Sequence, residues 1–119
     1  MKKNKIQKDL ELEIANKMYD AFWRLYDSMP NNNFKIRDNF KNKIIDKHYK
    51  KQTLSRLLIG IKWFISNYDL SKYFCTYVYL GNKVPYINIY DFNDDKISLF
   101  EYTIIKNEVI LVNDFTNKK

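Results

Sequence analysis

Residues 53–80 read TLSRLLIGIKWFISNYDLSKYFCTYVYL, and the hydrophobic period changes inside this stretch. Leu54, Leu57, Leu58, Ile61, Phe64, Ile65 and Tyr68 recur every three or four residues, which puts them on one stripe of a helix, with Thr53 placed to cap its start. After Asp69 the alternation falls to every second residue, so Tyr73, Cys75, Tyr77 and Tyr79 share one side of a strand. The chain is therefore read as helices first and a sheet second.

Upstream, Ile6 to Met29 reads as a long helix with Asn4 as its cap, Gln7 three residues on, and Pro30 as its stop. Leu10, Ile14, Met18, Ala21, Phe22, Leu25 and Met29 form its main apolar stripe, and Leu12, Tyr19, Trp23 and Tyr26 a second one beside it. Asn31, Asn32 and Asn33 make a loop. A second helix is expected from about Asp38 to Lys51, with Phe40, Ile44, Ile45 and Tyr49 on one side and Lys43, Lys47, Lys50 and Lys51 on the other. Downstream, 73–80, 84–90, 96–105 and 108–112 alternate as four strands joined by short connections at Gly81-Asn82, at Phe92 to Asp95 and at Lys106-Asn107. Pro85 lacks an N–H and belongs near an edge or a strand start. The expectation is a single α+β domain over residues 1–119, three N-terminal helices packed on a C-terminal four-stranded antiparallel β-meander.

Charge is distributed unevenly. Lys35, Arg37, Lys41, Lys43, Lys47, Lys50, Lys51, Arg56 and Lys62 face only Asp38 and Asp46 in the same segment, and nine minus two is the whole formal net charge of +7. Lysine outnumbers arginine 18 to 3 and asparagine and isoleucine are abundant, a bias that AT-rich coding produces. Coding bias accounts for lysine in general but not for its concentration between 35 and 62.

Cys75 is the only cysteine, so no intrachain disulfide can form. Asp9, Glu11 and Glu13 follow the basic start where a signal peptide needs an apolar run. The longest apolar run, Leu54 to Ile65, is interrupted by Ser55, Arg56 and Lys62 and is too short for a membrane span. A cytoplasmic protein with no membrane partner is expected.

Lysines and arginines on a helical face neutralise phosphates and release counterions, so Lys41, Lys43, Lys47, Lys50, Lys51, Arg56 and Lys62 are the candidate nucleic-acid contacts. They would set affinity and carry no sequence preference. Ile44 to Leu58 resembles a helix-turn-helix, with Thr53-Leu54-Ser55-Arg56-Leu57 opening the recognition helix. It departs from that pattern at His48, where the turn favours glycine, and at Ile44, where a small residue packs best. Tyrosines of residues 73–79 could stack on unpaired bases, but the acids Asp91, Asp94, Asp95, Glu101, Glu108 and Asp114 favour packing or a protein contact.

Ile59 with Trp63, and Tyr19 with Trp23, are the alternative use of the surface, as anchors for a protein partner or for a second copy in a homodimer. Catalysis has no motif. His48 and Cys75 are single and distant in sequence, the oxygens of Asp91, Asn93, Asp94 and Asp95 lack the glycine and distal glutamate of a calcium loop, and two glycines cannot build a phosphate loop. No cofactor and no metal is expected. The sequence thus reads as a small non-enzymatic regulatory or accessory protein that binds nucleic acid through a basic helical face. The alternative is a phage- or mobile-element-type inhibitor of the anti-defence or anti-CRISPR kind, whose basic block meets an acidic or nucleic-acid-bound protein.

Overall fold

The computed structural model describes residues 5–45, 51–79 and 84–116. Its elements are α1 (Lys5–Ser28), β1 (Phe34–Ile36), α2 (Asp38–Ile45), α3 (Lys51–Asn67), β2 (Tyr73–Val78), β3 (Tyr86–Asp91), β4 (Phe100–Ile105) and β5 (Glu108–Asp114). The strands form one mixed sheet in the order β1-β2-β3-β4-β5. The antiparallel meander is present as β2 to β5, and β1 adds a fifth strand parallel to β2.

β1 corrects the four-stranded expectation. Three residues are too few for an alternation to stand out of the surrounding loop, and only the tertiary pairing of Phe34 with Cys75 and Ile36 with Tyr77 makes them a strand. Asn33 holds this strand in place. It is fully buried, its side-chain amide donates to the carbonyls of Leu70 and Tyr73, and its own carbonyl accepts from the Cys75 amide, all at 2.7 Å. The asparagine-rich loop thus exposes Asn31 and Asn32 and buries Asn33 as a clamp.

Other boundaries shift for local reasons. α2 ends at Ile45 among the described residues, and Lys51 opens α3 instead of closing α2, so Thr53 lies inside α3 rather than capping it. β4 starts at Phe100 rather than Lys96, because Asp91 turns the chain: its carboxylate accepts from the Asn93 amide and its carbonyl from the Asp94 amide. β3 begins one residue after Pro85, whose carbonyl accepts from the Thr103 hydroxyl at 2.7 Å.

Helices cover one face of the sheet. Phe34, Ile36, Cys75, Tyr77, Ile87, Ile89 and Ile104 point into a core closed by Phe22 and Met29 of the α1 region, Ile44 of α2, and Leu54, Leu57, Ile61 and Phe64 of α3. A Cβ at Gly60 would meet Ile87 Cδ1 at 3.3 Å and Ile104 Cδ1 and Tyr77 Cε2 at 3.4 Å, so glycine is what allows α3 to sit this low. Where α1 ends, Asn31 donates to the Leu70 carbonyl just beyond α3, so the two helices finish at the same end of the sheet. α1 has 24 residues and α3 has 17, and the difference of seven leaves an overhang of about 10 Å at 1.5 Å per residue. Leu10, expected in the buried stripe, is consequently 54% exposed, and Ile6 and Leu12 are also open to solvent.

Candidate nucleic-acid interface

The basic segment is divided by the fold instead of lying on one helix. Phe34 and Ile36 face the core, so Lys35 between them emerges on the helix-free face, its Nζ 4.2 Å from the Phe74 ring centroid. There Phe74 stacks on Tyr90 (5.1 Å, 10° between planes) and meets Phe92 at 5.1 Å. Lys35 and Arg37 flank a shallow groove of about 280 Å³ along β1 and the end of β2, floored by Ile36, Thr76, Tyr77 and Val78.

The remaining cations belong to the helical layer. Lys41 is half-buried, its Nζ 5.0 Å over the Tyr26 ring, so part of its charge is directed at α1. Lys43 near the end of α2 and Lys62 on α3 are exposed. Arg56 is half-buried close enough to the Tyr77 hydroxyl for its charge to act there, against the stronger desolvation that pushes that phenol upward. Lys47 and Lys50 lie outside the described residues, as does His48, and for Lys51 only the helical backbone is described. Among the described residues, Arg37, Lys43 and Lys62 have no carboxylate partner, and the one ion pair is Lys17–Glu13 on α1. Ser55 and Arg56, which a helix-turn-helix would turn toward bases, are both half-buried.

The proposed protein anchors are largely occupied at home. Trp63 sets its ring edge on Tyr102 at 4.4 Å and meets Tyr68 at 5.6 Å, and Ile59 packs against the core. Trp23 contacts Tyr19, Phe22 and Tyr26, and its buried indole N–H has no acceptor among the described residues. These two stripes pack α1 and α3 into the fold, leaving them only partly accessible.

Of the tyrosines expected to share a face with Cys75, Tyr73 and Tyr77 do so and Tyr79 lies past the end of β2; that face is the core, with Tyr77 1% exposed and Tyr73 packed against the same cluster. The aromatic group on the opposite parity is Phe74, Tyr90 and Phe92, in which Phe74 is buried, Tyr90 half-buried and Phe92 exposed. The register Phe74↔Tyr90 joins them, a relation visible only once β2 and β3 are paired. Cys75 is fully buried and its desolvation pushes the thiol upward, toward the unreactive protonated form. No group of histidine, cysteine and carboxylate side chains able to hold a metal occurs among the described residues. No helix among them is long and apolar enough to cross a membrane. No family model, no curated protein and no solved structure matches this chain.

Proposed function

We propose that this protein is a nucleic-acid-binding module that acts through phosphate contacts and performs no chemistry of its own. The observation that carries the reading is that the segment holding the entire +7 charge presents Arg37, Lys43 and Lys62 to solvent without carboxylate partners among the described residues. A cation whose charge is not neutralised within the fold is available to a polyanion, and the release of condensed counterions supplies the affinity. Lys35 and Arg37 along the β1 groove extend this surface beyond the helices.

Fluorescence anisotropy with labelled single-stranded DNA, duplex DNA and RNA over a salt series tests it. Binding is expected to weaken linearly in log salt, and Arg37→Glu, Lys43→Glu and Lys62→Glu are each expected to lower the slope by about 0.7–0.9 per lost phosphate contact. No binding to any of the three at low salt, by a chain whose circular dichroism shows it folded, overturns the reading.

The second reading is a protein that binds a nucleic-acid-handling partner, and the overhang of α1 favours it. Ile6 and Leu10 lie one turn apart on a part of the helix beyond the reach of α3, 77% and 54% exposed. In this reading Leu10→Asp abolishes partner capture while the lysine changes leave it in place.

A further inference from the structure

The face of the sheet turned away from the helices differs between its two halves. Strand pairing sets out its rows: Lys35 beside Thr76, Thr76 beside Asn88 and Asn88 beside Glu101, with Phe74 beside Tyr90 in the next row. Over β1, β2 and β3 this face carries aromatic rings, two cations at its margin in Lys35 and Arg37, and no carboxylate. The acids that crowd this region in sequence go elsewhere. Asp91, opposite Tyr73, and Asp114, opposite Phe100, take the helix side, and Asp94 and Asp95 lie in the turn after β3. Glu101 and Glu108 belong to β4 and β5, and Glu101, which borders the aromatic half, accepts from the Asn113 amide at 2.8 Å.

Within the aromatic half the rings, the polar groups and the charge lie in adjacent rows. Phe74 is buried and forms the floor of the ring cluster, while Tyr90 is half-buried and Phe92 is 38% exposed. The Lys35 ammonium, 4.2 Å from the Phe74 centroid, is thereby fixed beside the rings. In the next row the Ser98 hydroxyl donates to Asn88 Oδ1 at 3.1 Å. This leaves the Asn88 amide N–H groups and the Thr76 hydroxyl without a partner among the described residues.

A duplex keeps its base planes inside its own stack, so rings on a sheet face find nothing there to stack on. An unpaired base offers both a π face and hydrogen-bonding edges. We propose that the helix-free face over β1 to β3 binds single-stranded nucleic acid. A base stacks on the Tyr90 and Phe92 side of the ring cluster, its edge meets the Asn88 amide and the Thr76 hydroxyl, and the phosphates pass over the β1 margin at Lys35 and Arg37. The inference rests on the reading of the chain as a nucleic-acid binder and gives that reading a strand preference. An acidic polypeptide satisfies the two cations but brings no base plane to the rings, so charge alone does not account for the arrangement.

Fluorescence anisotropy of the full chain at low salt tests the proposal with three labelled probes: a single-stranded oligonucleotide, its duplex, and an abasic strand of the same length. The abasic strand keeps the phosphates and lacks the bases, and it is expected to bind about tenfold more weakly than the normal strand, with the duplex also weaker. Lys35→Glu and Phe92→Ala, both at exposed side chains, are each expected to weaken single-strand binding by about tenfold, and Phe92→Ala to leave duplex binding unchanged. Equal affinity for the normal and abasic strands overturns this inference and leaves the phosphate reading standing. Single-strand binding that both substitutions leave unchanged does the same. No binding to any probe overturns the phosphate reading along with this one. If Phe92→Ala impairs folding, the abasic comparison, which needs no variant, decides.

Discussion

The side-chain amide of Asn33 donates to the Tyr73 carbonyl at 2.7 Å across 40 positions of sequence, and this bond joins the strand after α1 to the strand after α3. The same amide group serves the Leu70 carbonyl, and the Asn33 side-chain oxygen accepts from the Asn31 amide at 3.3 Å. Asn33 itself is fully buried and its partners are partly so, so a group left without a partner here carries a desolvation cost.

Asn33→Ala is therefore expected to destabilise the fold by about 3 kcal/mol, since the Leu70 and Tyr73 carbonyls lose their shared donor. Asn33→Asp is expected to be worse at neutral pH, because it aims a carboxylate at two carbonyl oxygens. Urea unfolding of the two variants checks both; equal stabilities for Asp and wild type would show that the clamp does not work through its N–H groups.

Two leucines of the same size separate the overhang from the core. Leu57 is fully buried and Leu57→Ala is expected to cost about 2–5 kcal/mol, whereas Leu10→Ala, at an exposed helix site, is expected to change stability by less than about 0.5 kcal/mol. Comparable losses in thermal unfolding would mean that something covers the start of α1.

Stability is expected to fall in alkali. Burial pushes the Cys75 thiol up, and burial with the 2.8 Å bond to the Tyr102 hydroxyl pushes the Tyr68 phenol up. The folded chain keeps these protons at a pH where the unfolded chain releases them. Their contribution is full below the ordinary thiol and phenol values of about 8.5 and 10, and is lost progressively above them. In acid the sign reverses for Asp69, whose carboxylate is held below its ordinary value by the Ser71 hydroxyl and amide. Its contribution is present above the usual carboxylate range and lost as pH falls through the folded value. Unfolding midpoints against pH, with Cys75→Ala and Tyr68→Phe, separate the alkaline groups.

The turn at 106–107 holds a lysine in a left-handed conformation, which costs about 1 kcal/mol for a residue with a β-carbon. Lys106→Asn with Asn107→Gly supplies the residues this turn favours and is expected to stabilise the chain by about 1 kcal/mol. A loss of stability would mean that Lys106 makes a compensating contact.

The helix stripe of residues 54–68 and the alternation after Asp69 were legible because each repeats often enough to reveal its period, and Leu54, Leu57, Ile61 and Phe64 are buried as that stripe requires. β1 was not legible, since Phe34 and Ile36 offer one alternation and no more. The face carried by Tyr73 and Tyr77 was legible as a face but not as an inside, because period alone does not say which side the helices cover. For the same reason the basic run looked like one helical surface in sequence, while Lys35 and Lys43 sit on a strand and a helix that treat their neighbours differently. Leu10 continues the periodicity of α1 perfectly well; what it lacks is a partner, and the length of α3 is not encoded near residue 10.

Gly60 gives the charge pattern an unusual dependence. With no side chain there, α3 rests against Ile87, Ile104 and Tyr77, and it carries Arg56 and Lys62 at a height over the sheet that this contact dictates. A larger residue at 60 would press on these three side chains, and where they cannot give way the helix shifts and its cations are respaced without a change in any charged residue. In a drifting lineage the spacing of such charges can change through a position that a comparison of charges alone would pass over.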